Sequence, residues 1–194
     1  AGRTRFQKVH ELDSDSRHLV LLCRDEEGYR NLSYMVSMAY VEGFYIKPRI
    51  DMDLLRQHSR GLVALSACLA GEIPKALVNG AYDSARAYAL EMRELFGEDG
   101  FYLELQDHGI RDQAVVNQGL LRLHEETGIP LVCTNDCHYL APEDAESHDV
   151  LLCIQTGKML DDEGRMRYEP RNFYLRSTEE MEKLFSRYPD ALAN

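Results

Sequence analysis

Gly61-Leu-Val-Ala-Leu-Ser-Ala-Cys68 is the stretch on which the fold turns. Its apolar residues do not alternate with polar ones until the last three positions, the pattern of a strand covered on both faces, and such strands belong to sheets flanked by helices. Phe101 to Asp107 and Pro130 to Tyr139, rich in apolar residues and bounded by polar or Gly signals, also read as strands, and His18 to Cys23 is a fourth candidate. Between them apolar residues recur at three- and four-residue spacing: Leu32, Met35, Val36 and Ala39; Ala85, Tyr88, Met92 and Leu95; Val116, Leu120 and Leu123. Strand and helix alternate, which predicts an α/β fold with a parallel sheet, either an open doubly wound sheet or a barrel.

Past these units Glu143 to Gly157 reads as a helix, with Pro142 ahead of it and Gly157 at its end. Lys158 to Asn172 is charged and without apolar period, a connector. Phe173 to Arg176 reads as a short strand, and a last helix begins near Ser177 or Thr178, either of which caps it above Glu179 and Glu180.

The chain of 194 residues, 44% hydrophobic, is long enough for one buried core. Asp and Glu outnumber Lys and Arg by 33 to 22, a net charge of −11, which argues against an extended nucleic-acid-binding face. Arg49, Lys47, Arg165, Arg167 and Arg171 remain available for local phosphate contacts. Five cysteines at irregular spacing, in a chain too large to need disulfide staples, fit a reducing compartment, so a cytoplasmic location is expected. No apolar run is long enough to cross a bilayer, so no membrane association is expected.

In parallel α/β folds chemistry gathers at the carboxyl ends of strands. Three strand ends here turn polar: Ser66-Ala67-Cys68, Gln106-Asp107-His108, and Thr134-Asn135-Asp136-Cys137-His138-Tyr139. If the last strand runs on, its two-residue period puts Asp136 and His138 on one face and Cys137 on the other. A carboxylate beside an imidazole suits a divalent metal, and Cys68 could add a thiolate, although many such pairs are only hydrogen-bonded at a strand terminus. Cys133, Cys137 and Cys153 lack the spacing of a zinc module and read as packing residues. His124 falls on a solvated helix face, and His58 and His10 are without evident role. Glu104 lies inside a strand, where a buried carboxylate needs a partner. His108 at a strand end and His148 early in a helix are candidates to support a site from behind.

Taken in order, His18-Leu-Val-Leu-Leu-Cys23 with Glu27-Gly-Tyr-Arg-Asn-Leu32, Tyr45-Ile-Lys-Pro-Arg-Ile-Asp51, Leu65-Ser-Ala-Cys-Leu-Ala-Gly-Glu72, Tyr102-Leu-Glu-Leu-Gln-Asp-His-Gly109 and Thr134-Asn-Asp-Cys-His-Tyr139 resemble the PHP domain of bacterial DNA polymerase III alpha subunits. The later Ile154-Gln-Thr-Gly-Lys158 and Phe173-Tyr-Leu-Arg-Ser177 resemble the exit from that domain toward the polymerase palm. The resemblance implies an irregular β/α barrel, TIM-like, over residues 1–157, with a connector and the start of the palm region over 158–194.

It also implies a divalent-metal cluster of zinc, manganese or iron at the barrel mouth. His18, Cys68, Asp136 and His138 fall on its ligand positions, with Glu104, His108 and His148 as possible supports. The family's His-x-His, Thr-Asp-His-Gly and Gly-Cys-Glu segments occur nowhere in the sequence, so the barrel is expected to be incomplete at its amino-terminal side and the ligand set short.

The parent protein implied is a DNA-directed DNA polymerase, with magnesium at a polymerase site outside this chain. Its implied partners are DNA, a sliding clamp and a proofreading exonuclease subunit. Two roles follow for the domain itself, a metal-dependent 3′–5′ exonuclease or a structural and docking module; a stand-alone phosphoesterase for a small phosphate ester is the alternative. This segment alone is expected to be inactive.

Overall fold

A computed structural model describes residues 3–194 and divides them into two compact units. Of these, the first comprises residues 3–103 and 123–130, the second 104–122 and 131–194. In chain order the elements of the first are α1 (His10–Asp13), β1 (Val20–Cys23), α2 (Glu26–Val41), α3 (Met52–Gln57), β2 (Leu62–Leu65), α4 (Glu72–Val78), α5 (Tyr82–Phe96) and most of β3 (Phe101–Leu105). Then come α6 (Arg111–Thr127), β4 (Leu131–Cys133), a short 3-10 turn at Pro142–Asp144, α7 (Ala145–Thr156), α8 (Thr178–Leu184) and α9 (Pro189–Ala193).

The α/β class expected from the alternation is the one adopted, but the sheet is mixed. Its order is β1-β2-β3-β4. β2 and β3 are parallel, pairing Ala64 with Phe101 and Leu65 with Tyr102. β1 is antiparallel to β2, with Val20 opposite Leu65 and Cys23 opposite Leu62, so the all-parallel expectation fails at this strand. After β1 the chain passes through α2 and α3, a connection long enough for either orientation, and re-enters at Gly61, whose carbonyl accepts from Arg24 N–H at the foot of the antiparallel ladder.

In the first unit Ala64, Ala89, Met92, Phe101 and Leu103 are fully buried, as are Leu123 and Ile129. α4 packs on α5, and α2 lies against β1 and β2, burying Met35 and Ala39 while Val36 stays exposed. Asp25 caps α2, accepting from Gly28 N–H at 2.8 Å, and Asp51 caps α3, accepting from Leu54 N–H at 3.0 Å.

In the second unit Leu105, Leu120, Leu152, Cys153, Phe173 and Phe185 are buried. α7 follows the 3-10 turn begun by Pro142 and ends at Gly157 in the left-handed conformation (φ 65°), matching the expected helix. α8 starts where expected. Ser177 is its cap and shares a reciprocal capping box with Glu180. Phe173 to Arg176 is not a strand as expected; it makes one isolated bridge, Tyr139 with Tyr174, because Phe173 O and Tyr139 O accept from His138, Tyr139 and Leu175 N–H groups without a continued ladder. No helix among the described residues is long and apolar enough to cross a membrane.

Candidate functional site

All three polar strand ends lie just past their strands, and each strand is shorter than the sequence suggested. β2 stops at Leu65, β3 at Leu105 and β4 at Cys133. Asp136 and His138 therefore do not sit on a continued strand. Asp136 has φ 44°, a left-handed backbone that ends any ladder, and the pair belongs to a loop. The two side chains are nevertheless neighbours, with Asp136 Oδ1 3.6 Å from His138 Nε2. Cys137 between them is exposed instead of packed.

The loop is held from below by His108. Its ring is fully buried, and burial pulls its pKa below the ordinary histidine value. A neutral ring carries one N–H and one acceptor nitrogen, and both are used. Nε2–H donates to Asn135 O at 2.6 Å, and Nδ1 accepts from Gln113 Nε2 at 2.9 Å. The backbone is pinned as well, His108 N–H donating to Gln113 Oε1 at 2.8 Å and His108 O accepting from Asn172 Nδ2 at 2.9 Å. The ring stacks on Phe173, 4.2 Å between centroids and 13° from parallel.

Asn135 is gripped through its side chain too. Its Nδ2 donates to Tyr174 O at 2.5 Å and its Oδ1 accepts from Arg176 Nη1 at 2.7 Å. Behind the loop lies Glu104, 5% exposed, whose partner the sequence left unnamed. The Thr134 hydroxyl donates to Glu104 Oε1 at 2.5 Å, and Gln106 Nε2 donates to the same oxygen at 3.2 Å. Gln113, Asn135, Phe173 and Arg176 are the supports that sequence reasoning missed. Asn135 lay within a polar strand end, and Gln113 carried a signal as a polar residue within the buried period of α6.

His148 sits 5.7 Å from the His138 ring, with Tyr139 and Tyr168 beside it, and burial followed by the His138 ring lowers its pKa. Below it Asp149 receives both arms of Arg165, at 2.5 and 2.7 Å, with the Arg165 side chain 4% exposed. Asp149 is held below the usual carboxylate range by that bond. Arg165 also donates to Leu160 O, so it fastens the connector and is not available to phosphate. Arg49 is similarly engaged, with Gly43, Asp13, Arg5 and Gln7 carbonyls. His124, expected to be solvated, is half-buried and contacts Ile129 O at 2.7 Å through Nδ1, closing the turn after α6.

In the first unit His18 precedes β1 in an isolated bridge to Gly71, and its Nδ1 lies 3.6 Å from Cys68 Sγ. Ala67, next to that cysteine, is left-handed at φ 64°. Each unit thus supplies one donor pair of suitable chemistry, thiolate with imidazole and carboxylate with imidazole. Among the described residues no three His, Cys, Asp or Glu side chains form a group that could hold a metal ion. A catalytic zinc takes three protein ligands and a structural zinc four, so these residues do not make up a complete site.

Residues 5–108 match the family model described as "PHP domain". The chain is 45% identical over 189 residues to the DNA polymerase III subunit alpha of Borreliella burgdorferi, covering 97% of this chain and 16% of that protein. It is 44% identical to the subunit of the same name from Treponema pallidum (100% of this chain, 17% of that protein) and 45% identical to that from Thermus aquaticus (93% and 15%). The chain spans about a sixth of the length of these curated relatives. With more than half of its residues inside that family model, and with its sequence similar over nearly its whole length to bacterial DNA polymerase III alpha subunits, the chain belongs to the PHP domain family.

Proposed function

We propose that this chain is part of the PHP domain of a bacterial replicative DNA polymerase and acts there as a bracing and docking module in the cytoplasm. Residues 1–157 are the PHP portion, and 158–194 lead toward the palm. The enzyme as a whole would synthesise DNA with magnesium at a site outside these residues and would work with a sliding clamp and a proofreading exonuclease subunit. His18 with Cys68, and Asp136 with His138, are offered as donors to divalent metal (zinc, manganese or iron) whose remaining donors come from outside this chain.

One observation supports bracing over hydrolysis: the buried ring of His108 spends both nitrogens on holding the Asn135 loop together, with Phe173 stacked on it. Such a fully satisfied polar knot rigidifies a fold. The charge balance points the same way, since −11 overall disfavours a phosphodiester and Arg49 and Arg165 are committed internally.

The test uses the polymerase that contains this chain, with Asp136→Asn and His138→Ala introduced separately. Primer extension at permissive temperature should stay within about twofold of the parent, while metal content and melting temperature fall, because an ion bound only by the folded state stabilises it. Loss of 3′-nucleotide release from single-stranded DNA in His138→Ala, with melting unchanged, would instead establish the hydrolytic role. The 194-residue chain by itself should show neither primer extension nor nucleotide release.

A further inference from the structure

The Asp136–His138 pair is shaped by a segment forty residues away in sequence. Phe173 O accepts from His138 N–H at 2.7 Å and from Tyr139 N–H at 3.3 Å, and Phe173 N–H donates to the Tyr139 hydroxyl at 3.0 Å. Tyr174 O and the Arg176 guanidinium then take the two ends of the Asn135 carboxamide. Asn135 is thereby fixed at three points, its own carbonyl being held by His108. A residue so constrained leaves its successor little choice, and its successor is Asp136, in the left-handed region that aspartate tolerates better than most non-glycine residues.

We propose that Arg176, acting through Asn135, is a positioning residue for the Asp136 carboxylate, so that the segment entering α8 sets the geometry of the pair. Arg176 is itself located by the helix start. It lies over the Tyr174 ring at 5.5 Å, the Tyr174 hydroxyl donates to Glu180 Oε1 at 2.6 Å, and Glu180 closes the capping box with Ser177. The path from the α8 cap to the carboxylate is therefore a chain of direct contacts within one compact unit: Glu180, Tyr174, Asn135, Asp136, with Arg176 bridging the middle two. A guanidinium is suited to this task, because its planar fork fixes direction where an ammonium fixes only distance. Motion of the chain beyond α8 would reach the pair through that path. The functional meaning of the pair rests on the proposal above; the positioning does not.

The experiment is hydrogen–deuterium exchange of the peptide spanning 131–141 in the full chain, compared among the parent, Arg176→Ala and Arg176→Lys, with melting followed in parallel. Arg176→Ala should raise exchange at Asp136 to Tyr139 about tenfold or more with little change in melting, and Arg176→Lys should recover part of the protection. Unchanged exchange in Arg176→Ala overturns the inference, as does a loss of protection spread evenly over the chain, which would mark a general stabilising role. Should the alanine variant unfold, Asn135→Ala carries the same expectation and the same refutation. Manganese-induced broadening of His138 resonances serves as a separate arm. Broadening in the parent that weakens in Arg176→Ala supports positioning, and broadening equal in both contradicts it. Its absence from the parent removes the metal reading while the exchange result still decides the role of Arg176.

Discussion

The Nε2–H of His108 donates to the carbonyl oxygen of Asn135 at 2.6 Å, and through that bond the end of β3 carries the loop that follows β4. The bond requires a neutral ring, since Nδ1 must stay an acceptor for Gln113. The folded-state pKa is accordingly depressed, chiefly by burial, below the 6.5 of an unfolded histidine. Below pH about 6.5 the unfolded chain takes up a proton that the folded chain refuses, so stability falls as pH drops through that value and continues to fall until the folded pKa is reached. His148, depressed for the same reason, adds to the effect in the same direction. Urea unfolding between pH 5 and 7.5 should show this slope in the parent and a shallower one in His108→Gln. An equal slope in both would remove His108 from the explanation.

His108→Ala should cost about 2–4 kcal/mol at pH 7, because it opens a cavity against Phe173 and strands the Asn135 carbonyl and the Gln113 amide. Denaturant midpoints measure it.

Thr134→Val keeps shape and removes the hydroxyl that donates to Glu104 Oε1 and accepts from Gln106 Nε2. The cost expected is about 1–3 kcal/mol, since both partners are 5% exposed and cannot turn to water. A change under a few tenths of a kcal/mol would show that the carboxylate is held well enough by its other contacts.

The class of fold and the polar strand ends were legible in the sequence because burial on both faces of a strand leaves a local mark. Leu62 to Leu65 lies in a run that reads as covered on both faces, and Phe101 to Leu105 in one that reads as a strand; both are buried strands. Orientation was not legible, because nothing within Val20 to Cys23 records whether its neighbour runs with it or against it. Asp136 and His138 were rightly placed side by side, for the wrong local reason: the strand period that suggested it stops at Cys133, and the adjacency comes from Asn135, Phe173 and Arg176. Those supports are distant in sequence and of ordinary types, so no spacing announces them. Ser177 was legible as a cap because capping is a four-residue matter.

Asp13 is an acid-sensitive point of the first unit. Arg3 binds both of its oxygens, at 2.5 and 2.6 Å, and Val9 N–H adds a third bond at 2.7 Å, which lowers its carboxyl to about 2. Asp15, between Lys75 and Arg17, is lowered to about 2 as well. An unfolded aspartate titrates near 3.8, so the contribution of both is complete above that pH and disappears as pH falls toward 2. Asp13→Asn should lower stability at pH 7 and flatten the profile between pH 4 and 2. A variant whose profile stays as steep as the parent's would show that other carboxylates govern acid unfolding.

Gly28→Ala separates helix propensity from packing. The position lies in the first turn of α2, where alanine is the better helix former by about 1 kcal/mol, and propensity alone predicts a gain. A Cβ at Gly28, however, would stand 1.9 Å from Gly61 O and 2.5 Å from Gly61 C, and both are backbone atoms without a rotamer to turn away. Gly61 cannot retreat easily either: it holds φ 74° and its carbonyl receives Arg24 N–H at the start of the β1–β2 ladder. Relief therefore means moving α2 off the sheet or breaking that ladder end, and overpacking of this kind costs about 1–3 kcal/mol or more. The variant should be destabilised despite its favourable propensity, by thermal or urea unfolding. Ala39→Gly, deeper in the same helix, should be destabilised for the opposite reason, loss of propensity and of a buried methyl. Gly28→Ala more stable than the parent would mean that α2 and the Gly61 turn approach less closely in solution than their 1.9 Å geometry requires.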